Sequence, residues 1–187
     1  QPGTYTIWLA DQASDEVGAY ELTVNCLFGT CLEQGGPRDA VDIGIVTDFD
    51  GTAADEMAAL VLRRVVQDDA TIKDTWLVPV RDMGDRAWLN TVPFGVNIES
   101  VGMAVLPDLP TASGNGVDEI AVLQVRRNGN TQVSVKDAAT DEPLANIWYF
   151  NADWDARAIT VVDDMNGNGS SELGVLAVNR DTNEARL

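Results

Sequence analysis

The chain has 187 residues, of which 45% are hydrophobic, and its formal net charge of −18 comes from 30 acidic and only 12 basic residues. This hydrophobic content suffices for a folded core, and no apolar run is long enough to span a bilayer. So negative a surface repels nucleic acid and anionic lipid, and we expect neither nucleic-acid binding nor membrane insertion. The complete lack of histidine excludes Ser-His-Asp and Cys-His catalysis and histidine-ligated zinc or iron.

The first predicted element is a β-hairpin within residues 1–33. Apolar residues alternate with polar ones in GTYTIWLAD and GAYELTVNC, and the polar turn QASDEV joins the two runs. A lone hairpin is marginal in water, so it must pack on another element. This segment resembles the last two strands of the pre-peptidase C-terminal domain, a β-sandwich of secreted bacterial proteins, and would be the remnant of such a sandwich.

The two cysteines of the chain, Cys26 and Cys31, lie in the segment NCLFGTCL. The four residues between them include a glycine and can turn back on themselves, which favours a disulfide over two unrelated buried thiols. A disulfide indicates an oxidising compartment outside the cytoplasm. The polar segment 34–40 that follows is predicted to be a linker.

Residues 41–187 contain three copies of one unit, at about 41–96, 97–151 and 152–187. Each copy begins with an alternating apolar strand, in which Ile43 and Ile45 match Met103 and Val105 and then Ile159 and Val161. An acidic loop, a glutamate and a second apolar run follow in each copy. The later parts also match, since VRDMGDRAWLNTVPF aligns with VKDAATDEPLANIWY and places Asp82 on Asp137.

The second apolar runs of the three copies are EMAALVLRR, EIAVLQVRR and ELGVLAVNR. The first alone is compatible with a helix after Asp55, because Ala, Leu, Met and Arg favour helices. Its two relatives are richer in β-branched residues and end in turn signals. Copies of one unit should share one structure, so we predict a strand in all three.

Four short antiparallel strands per unit predict an all-β protein built as a partial β-propeller-like array. A propeller usually has four to eight blades, whereas this chain has at most three units and begins at Gln1 rather than Met. We therefore expect either a fragment of a larger propeller or open units that stack against a neighbouring chain.

The acidic loops carry oxygen atoms at alternating positions, an arrangement that suits the six to eight oxygen ligands of Ca²⁺. The third loop, DMNGNGSSE, supplies Asp164, Asn166, Asn168, the carbonyl of Ser170 and Glu172. The first loop supplies Asp48, Asp50, Thr52, the carbonyl of Ala54 and Glu56. The second loop has three extra residues and supplies Asp108, Asn115 and Glu119. We rank the loops third, first, second as calcium sites, and polar turns that bind nothing are the alternative.

These units resemble the FG-GAP and VCBS repeats of secreted bacterial proteins and of integrin α-chain propellers, whose D-x-[DN]-x-[DN]-G-x-x-[DE] loop binds calcium between two strands of a blade. The resemblance covers residues 41–187. It implies an extracellular or cell-surface, calcium-stabilised module for binding, adhesion or scaffolding, with a protein or glycan ligand or copies of itself as partner. No copy contains the Gly-Ala-Pro element, so integrin-type ligand recognition is not implied.

Three other functions fit parts of the sequence. The chain fits a self-assembling extracellular subunit of a filament or surface layer, or an accessory module of a secreted hydrolase whose catalytic domain lies elsewhere. IVTDFDGTAADE also resembles the first motif of haloacid-dehalogenase-like phosphatases, with Asp48 as nucleophile. That family needs a doubly wound α/β domain, and a unique nucleophile has no reason to recur in three copies. We therefore expect no catalytic activity from these residues.

Overall fold

The structure, a computed structural model, describes residues 38–67, 70–85, 87–109 and 114–187, without the side chain of Arg38. The predicted hairpin, the start of the predicted linker and the predicted Cys26–Cys31 disulfide lie outside the described residues. All described residues belong to one compact unit, Gly36–Leu187.

The predicted all-β class is confirmed, because the described residues form strands and no helix. The segment after Asp55 is a strand, as the repeat comparison predicted. Since no described residue lies in a helix, these residues supply no helical membrane span. The strands are β1 (Arg38–Val46), β2 (Glu56–Val66), β3 (Ile72–Asp82), β4 (Trp88–Val96), β5 (Glu99–Leu106), β6 (Glu119–Val125), β7 (Thr131–Asp137), β8 (Pro143–Phe150), β9 (Trp154–Val162), β10 (Glu172–Asn179) and β11 (Ala185–Arg186).

The strands form three antiparallel sheets, and each strand pairs with its neighbour in sequence. Sheet 1 has the order β1-β2-β3-β4, sheet 2 the order β5-β6-β7-β8, and sheet 3 the order β11-β10-β9. Short polar turns favour such meanders, because antiparallel neighbours need only a tight connection. The register places Glu56 of sheet 1 opposite Asp82 and Glu119 of sheet 2 opposite Asp137.

The three sheets stack face to face through two apolar clusters. We call the face with Ile43, Met103 or Ile159 the front of its sheet, and the opposite face the back. The first cluster joins the back of sheet 1, including Leu60, to the front of sheet 2, including Ile120. The second cluster joins the back of sheet 2 to the front of sheet 3. Sheet 2 is therefore covered on both faces, and residues 119–124 of β6 are all buried.

Small residues let the first strands of the sheets approach each other closely. The backbone N–H of Met103 in β5 donates a hydrogen bond of 2.9 Å to Asp42 Oδ2 in β1. A Cβ added to Gly44 would lie 2.8 Å from Val105 Cγ2, which is below van der Waals contact. A glycine at this position is therefore required by the packing of β1 on β5.

We expect Gly44→Ala to destabilise the protein by about 1–3 kcal/mol, because the added methyl group overpacks the contact between sheets 1 and 2. Gly174→Ala is the comparison in β10 and should cost less, since its added Cβ would lie 3.2 Å from its nearest neighbour, Val162 Cγ2, a tight contact that needs only a small shift. Chemical denaturation of both variants measures the difference. An equal loss in both would contradict the close packing of β1 on β5.

Candidate metal centre

A cluster of three acidic side chains lies at the end of sheet 1, where the first acidic loop meets the β3–β4 turn. Asp50 belongs to the loop between β1 and β2, Glu56 begins β2, and Asp82 ends β3. Antiparallel pairing of Glu56 with Asp82 places two of these acids side by side. One carboxylate oxygen from each of the three residues lies within 4.8 Å of the other two.

Glu56 is the buried member of this group, with an exposed fraction of 0%. Its Oε2 accepts a hydrogen bond of 2.6 Å from the backbone N–H of Phe49. Its Oε1 is also buried but has no hydrogen-bond partner. A buried carboxylate oxygen without a hydrogen-bond partner lowers the stability of the fold, so the burial of this atom points to a partner that the protein itself does not provide.

The electrostatic surroundings oppose the ionised form of Glu56. Burial raises the pKa of Glu56 above its usual value of 4.5, and the N–H of Phe49 offsets part of that rise. The negative charges of Asp50, Asp82 and Asp48 raise the pKa further. A bound cation would reverse these effects, because it neutralises the like charges and pairs with the orphan oxygen.

The geometry fits a calcium ion. Oxygen ligands lie 2.3–2.6 Å from Ca²⁺, so two of them are at most about 5 Å apart. The three carboxylates meet this condition and provide the hard oxygen atoms that Ca²⁺ prefers. Asp50, Glu56 and Asp82 would hold the ion, and the ion would tie the first loop to the β3–β4 turn.

The first loop agrees only in part with the predicted ligand set. Of the predicted residues, Asp50 and Glu56 belong to the group, whereas Asp48 Oδ1 accepts a 2.8 Å bond from the N–H of Ala53. The N–H of Thr52 donates to Asp50 Oδ1 at 3.0 Å. Asp82 lies outside the ligand set predicted from the sequence, although its repeat match with Asp137 marks it as a shared position.

In the second loop, hydrogen-bond donors of the loop face the buried acids. Glu119 and Asp137 are buried and paired like Glu56 and Asp82. Asn115 Nδ2 donates a hydrogen bond of 2.7 Å to Asp137 Oδ2, so an amide N–H faces this acid. Both carboxylate oxygens of Glu119 accept from the N–H of Leu109. Asp108 Oδ2 accepts a hydrogen bond of 3.1 Å from the N–H of Gly116.

The third loop satisfies its acids with its own donors. The carboxylate of Asp164 accepts hydrogen bonds from the N–H groups of Gly169, Gly167 and Asn168, which lower the pKa of Asp164 below 3.8. Glu172 accepts from the N–H of Met165 at 2.8 Å and from the amide of Asn166. The two remaining predicted ligands, Asn168 and Ser170, form a turn, in which Asn168 Oδ1 accepts a hydrogen bond of 2.8 Å from the N–H of Ser170.

In the first loop a buried carboxylate oxygen, Glu56 Oε1, lacks a hydrogen-bond partner, whereas our sequence ranking places the third loop first. Within the described residues, the group of Asp50, Glu56 and Asp82 is where three carboxylates converge closely enough for one ion. The ranking itself stays a prediction until calcium binding is measured. The described residues also lack the α/β architecture on which the phosphatase alternative depends.

Comparison with protein-family models, curated proteins and solved structures gives no match for this chain. The resemblances to calcium-loop repeats and to the pre-peptidase domain stay predictions.

Proposed function

We propose that residues 38–187 form a calcium-stabilised β-repeat module that serves binding, adhesion or scaffolding outside the cell and catalyses no reaction. The observation that carries this proposal is the buried Glu56 Oε1, which has no partner and lies beside the carboxylates of Asp50 and Asp82. A cation is the simplest partner for this atom, because the charged groups that act on Glu56, namely Asp50, Asp82 and Asp48, are all negative.

Calcium would act on the fold through three separate segments. Asp50, Glu56 and Asp82 lie on the first loop, on β2 and on β3, so one ion would cross-link them. Such a site forms only in the folded chain, and its binding free energy adds to folding stability. The charge of −18 and the predicted disulfide between Cys26 and Cys31 support a location where calcium is plentiful and thiols are oxidised.

A shallow groove supports the binding role. It lies between the β4–β5 and β6–β7 turns, and its lining includes Asn97, Arg127 and Trp148. The side chain of Trp148 is 59% exposed. Exposed aromatic and arginine side chains are enriched where proteins bind partners, because they offer large contact areas with polar ends. A protein or glycan ligand would suit this surface.

We expect Ca²⁺ to raise the melting temperature by about 5–10 °C when its concentration is a hundredfold above Kd, because such an excess adds about 2.7 kcal/mol. Mg²⁺ should have a smaller effect, because it demands tighter octahedral geometry. Asp82→Asn should abolish most of the shift. Asp181→Asn, at an exposed turn, is the control that should keep it. Calorimetric scans in chelator, Ca²⁺ and Mg²⁺ measure these values.

Two results would contradict the proposal. The same melting temperature in chelator and in Ca²⁺ would contradict the proposed stabilisation of the fold by calcium. A full calcium shift in Asp82→Asn, together with its loss in Asp164→Ala, would move the site from the first loop to the third. A direct titration by calorimetry would distinguish a missing site from a site with little effect on unfolding.

A further inference from the structure

The shallow groove between the β4–β5 and β6–β7 turns contains positive charges that no described acid neutralises. Arg126 and Arg127 both belong to its lining. Neither arginine forms an ion pair within the part of the chain that the structure describes, whereas Arg64, Arg157 and Arg180 each pair with an aspartate. The protein has 30 acidic and only 12 basic residues, so acids to pair with are plentiful. These adjacent guanidinium groups are therefore available for an anionic ligand.

The other polar side chains of the groove also present hydrogen-bond donors. Asn97 Oδ1 accepts a hydrogen bond of 3.2 Å from the N–H of Asp74, and Asn128 Oδ1 accepts one of 3.1 Å from the N–H of Asn130. The NH₂ group of each amide is therefore left for a ligand. The indole N–H of Trp148 is a further donor. Among the described residues that line the groove none is acidic, so the lining favours a ligand rich in oxygen acceptors.

Hydrogen bonds to neighbouring side chains hold Arg126 in place. Its Nε donates to Gln132 Oε1, and Gln132 Nε2 in turn donates to Asn146 Oδ1. Gln132 is buried, so this support is shielded from water. The Nη groups of Arg126 make no hydrogen bond to a described residue and can bind both oxygens of one carboxylate. Because the side chain is held before the ligand arrives, binding costs less conformational entropy.

The backbone beside the groove is already hydrogen-bonded, which disfavours a peptide ligand. The N–H of Asn97 donates to the carbonyl of Asp74 at 2.8 Å, and the N–H of Gly129 donates to the carbonyl of Arg126 at 2.7 Å. An extended peptide that adds to a sheet depends on free backbone groups. A sugar can instead be bound by side chains alone, and its ring can pack on the indole of Trp148, which is 59% exposed.

We propose that this groove binds a short acidic oligosaccharide whose sugar units carry carboxylates. Arg126 and Arg127 bind its carboxylate oxygens. Asn97 and Asn128 donate to its hydroxyl groups, and the indole of Trp148 packs on one sugar ring. The inference names a ligand for the binding role proposed above and rests on that role, but it does not depend on calcium.

The net charge of −18 does not prevent this binding. At about 0.1 M salt, interactions between exposed charges are largely screened beyond about 10 Å. A short oligosaccharide is therefore affected mainly by charges close to the groove. Asp74, which is hydrogen-bonded to Asn97, is already paired with Arg64 through contacts of 2.8 and 3.0 Å. Glu99, which follows the lining residue Ile98, is exposed to water, where salt screens its charge.

Calorimetric titration of the full chain in chelator tests the proposal with a tetramer of glucuronic acid. The glucose tetramer of the same linkage is the matched ligand, because it has hydroxymethyl groups where the acid has carboxylates. The acidic tetramer should bind at least about 10-fold more tightly, because a hydrogen bond to a charged group contributes a factor of this size. Chelator removes calcium, so the result does not depend on the candidate metal centre.

Variants of the groove test where the acidic tetramer binds. Arg127→Gln and Trp148→Ala should each weaken binding at least about 10-fold, because the first removes a charged donor and the second an aromatic surface. Arg157→Gln on β9 and Trp88→Ala on β4 make the same changes at exposed positions outside the lining of the groove. Both should keep the wild-type affinity. Circular dichroism confirms that each variant is folded.

The proposal would be overturned by equal binding of the two tetramers, or by no binding at concentrations up to about 1 mM, the weak limit of measurable association. Unchanged affinity in both Arg127→Gln and Trp148→Ala would also overturn it. Tighter binding of a glutamate hexapeptide would assign the groove to an acidic protein segment and leave the binding role intact.

The calcium shift of the melting temperature separates this inference from the proposed function. A protein that keeps the shift but does not bind the acidic tetramer would refute the oligosaccharide ligand alone. A protein that binds the tetramer without any calcium shift would refute the calcium-stabilised module alone. The loss of both would refute both proposals.

Discussion

Replacement of Glu56 by glutamine is expected to stabilise the cation-free protein by about 1–3 kcal/mol, the typical cost of an unsatisfied buried polar group, and to abolish the calcium response. The substitution keeps the shape of the side chain but removes its charge from a group with Asp50 and Asp82. The new amide can donate to a neighbouring carboxylate, as Asn115 donates to Asp137 in the second loop. Without that charge the group loses most of its attraction for Ca²⁺. The wild type and the variant should therefore exchange their order of stability at about a thousandfold excess of calcium over Kd, where binding adds about 4.1 kcal/mol to the wild type.

The pH dependence of stability gives a second measure of the same substitution. Burial raises the pKa of Glu56 above 4.5, so the folded, cation-free protein binds a proton that the unfolded chain releases. Its stability should therefore increase as the pH falls from above that raised pKa towards 4.5. Asp164, whose pKa is lowered from 3.8, contributes in the opposite direction and only below that range. The difference between wild type and Glu56→Gln isolates the contribution of Glu56.

Glu99→Gln is the matched control, because it makes the same change at an exposed glutamate of β5. It should alter neither the chelator stability nor the calcium shift. Melting curves of the three proteins between about pH 4.5 and pH 7.5, in chelator and in Ca²⁺, complete the test. A Glu56→Gln variant that is less stable than wild type in chelator and still responds to calcium would refute the cation site.

The strands of the sheets could be predicted from the sequence, because comparison of the repeats decided between a helix and a strand after Asp55. Residues 56–66 have a composition that also suits a helix, and only the β-branched relatives in the other copies indicated a strand. Tertiary packing agrees with that inference, since Ala58 and Leu60 face sheet 2 from a β-strand. Local propensity alone would have left the choice open.

The candidate site was harder to predict, because one of its three acids, Asp82, comes from a different strand. Asp82 lies far from the first loop in sequence and meets Glu56 only through the register of β2 and β3. The third loop has the most complete local motif, yet both carboxylate oxygens of its Glu172 have hydrogen-bond partners, whereas Glu56 Oε1 has none. The spacing of a motif shows which side-chain oxygens could bind a metal ion. Only the folded structure shows which of these oxygens are buried without a hydrogen-bond partner.

Sheet 2 packs against both other sheets, so a cavity in its core should lower the free energy of unfolding strongly. We expect Ile120→Ala to destabilise the protein by about 2–5 kcal/mol, because the substitution leaves a cavity between sheets 1 and 2. Ile120 is fully buried in the first cluster. Ile147→Ala, at an exposed position of β8 in the same sheet, removes the same atoms and should cost less than about 1 kcal/mol. Urea denaturation measures both free energies of unfolding.

The shape of the Ile120→Ala transition is as informative as its midpoint. Neighbouring residues of β6 face opposite clusters, with Ile120 in the first and Ala121 in the second. Loss of packing on one side therefore loosens the strand that also supports sheet 3. All sheets should unfold in one transition at a lower urea concentration, with an unchanged slope. A separate early transition would instead mean that the sheets fold as independent units, and the stacked arrangement would then not be the source of their stability.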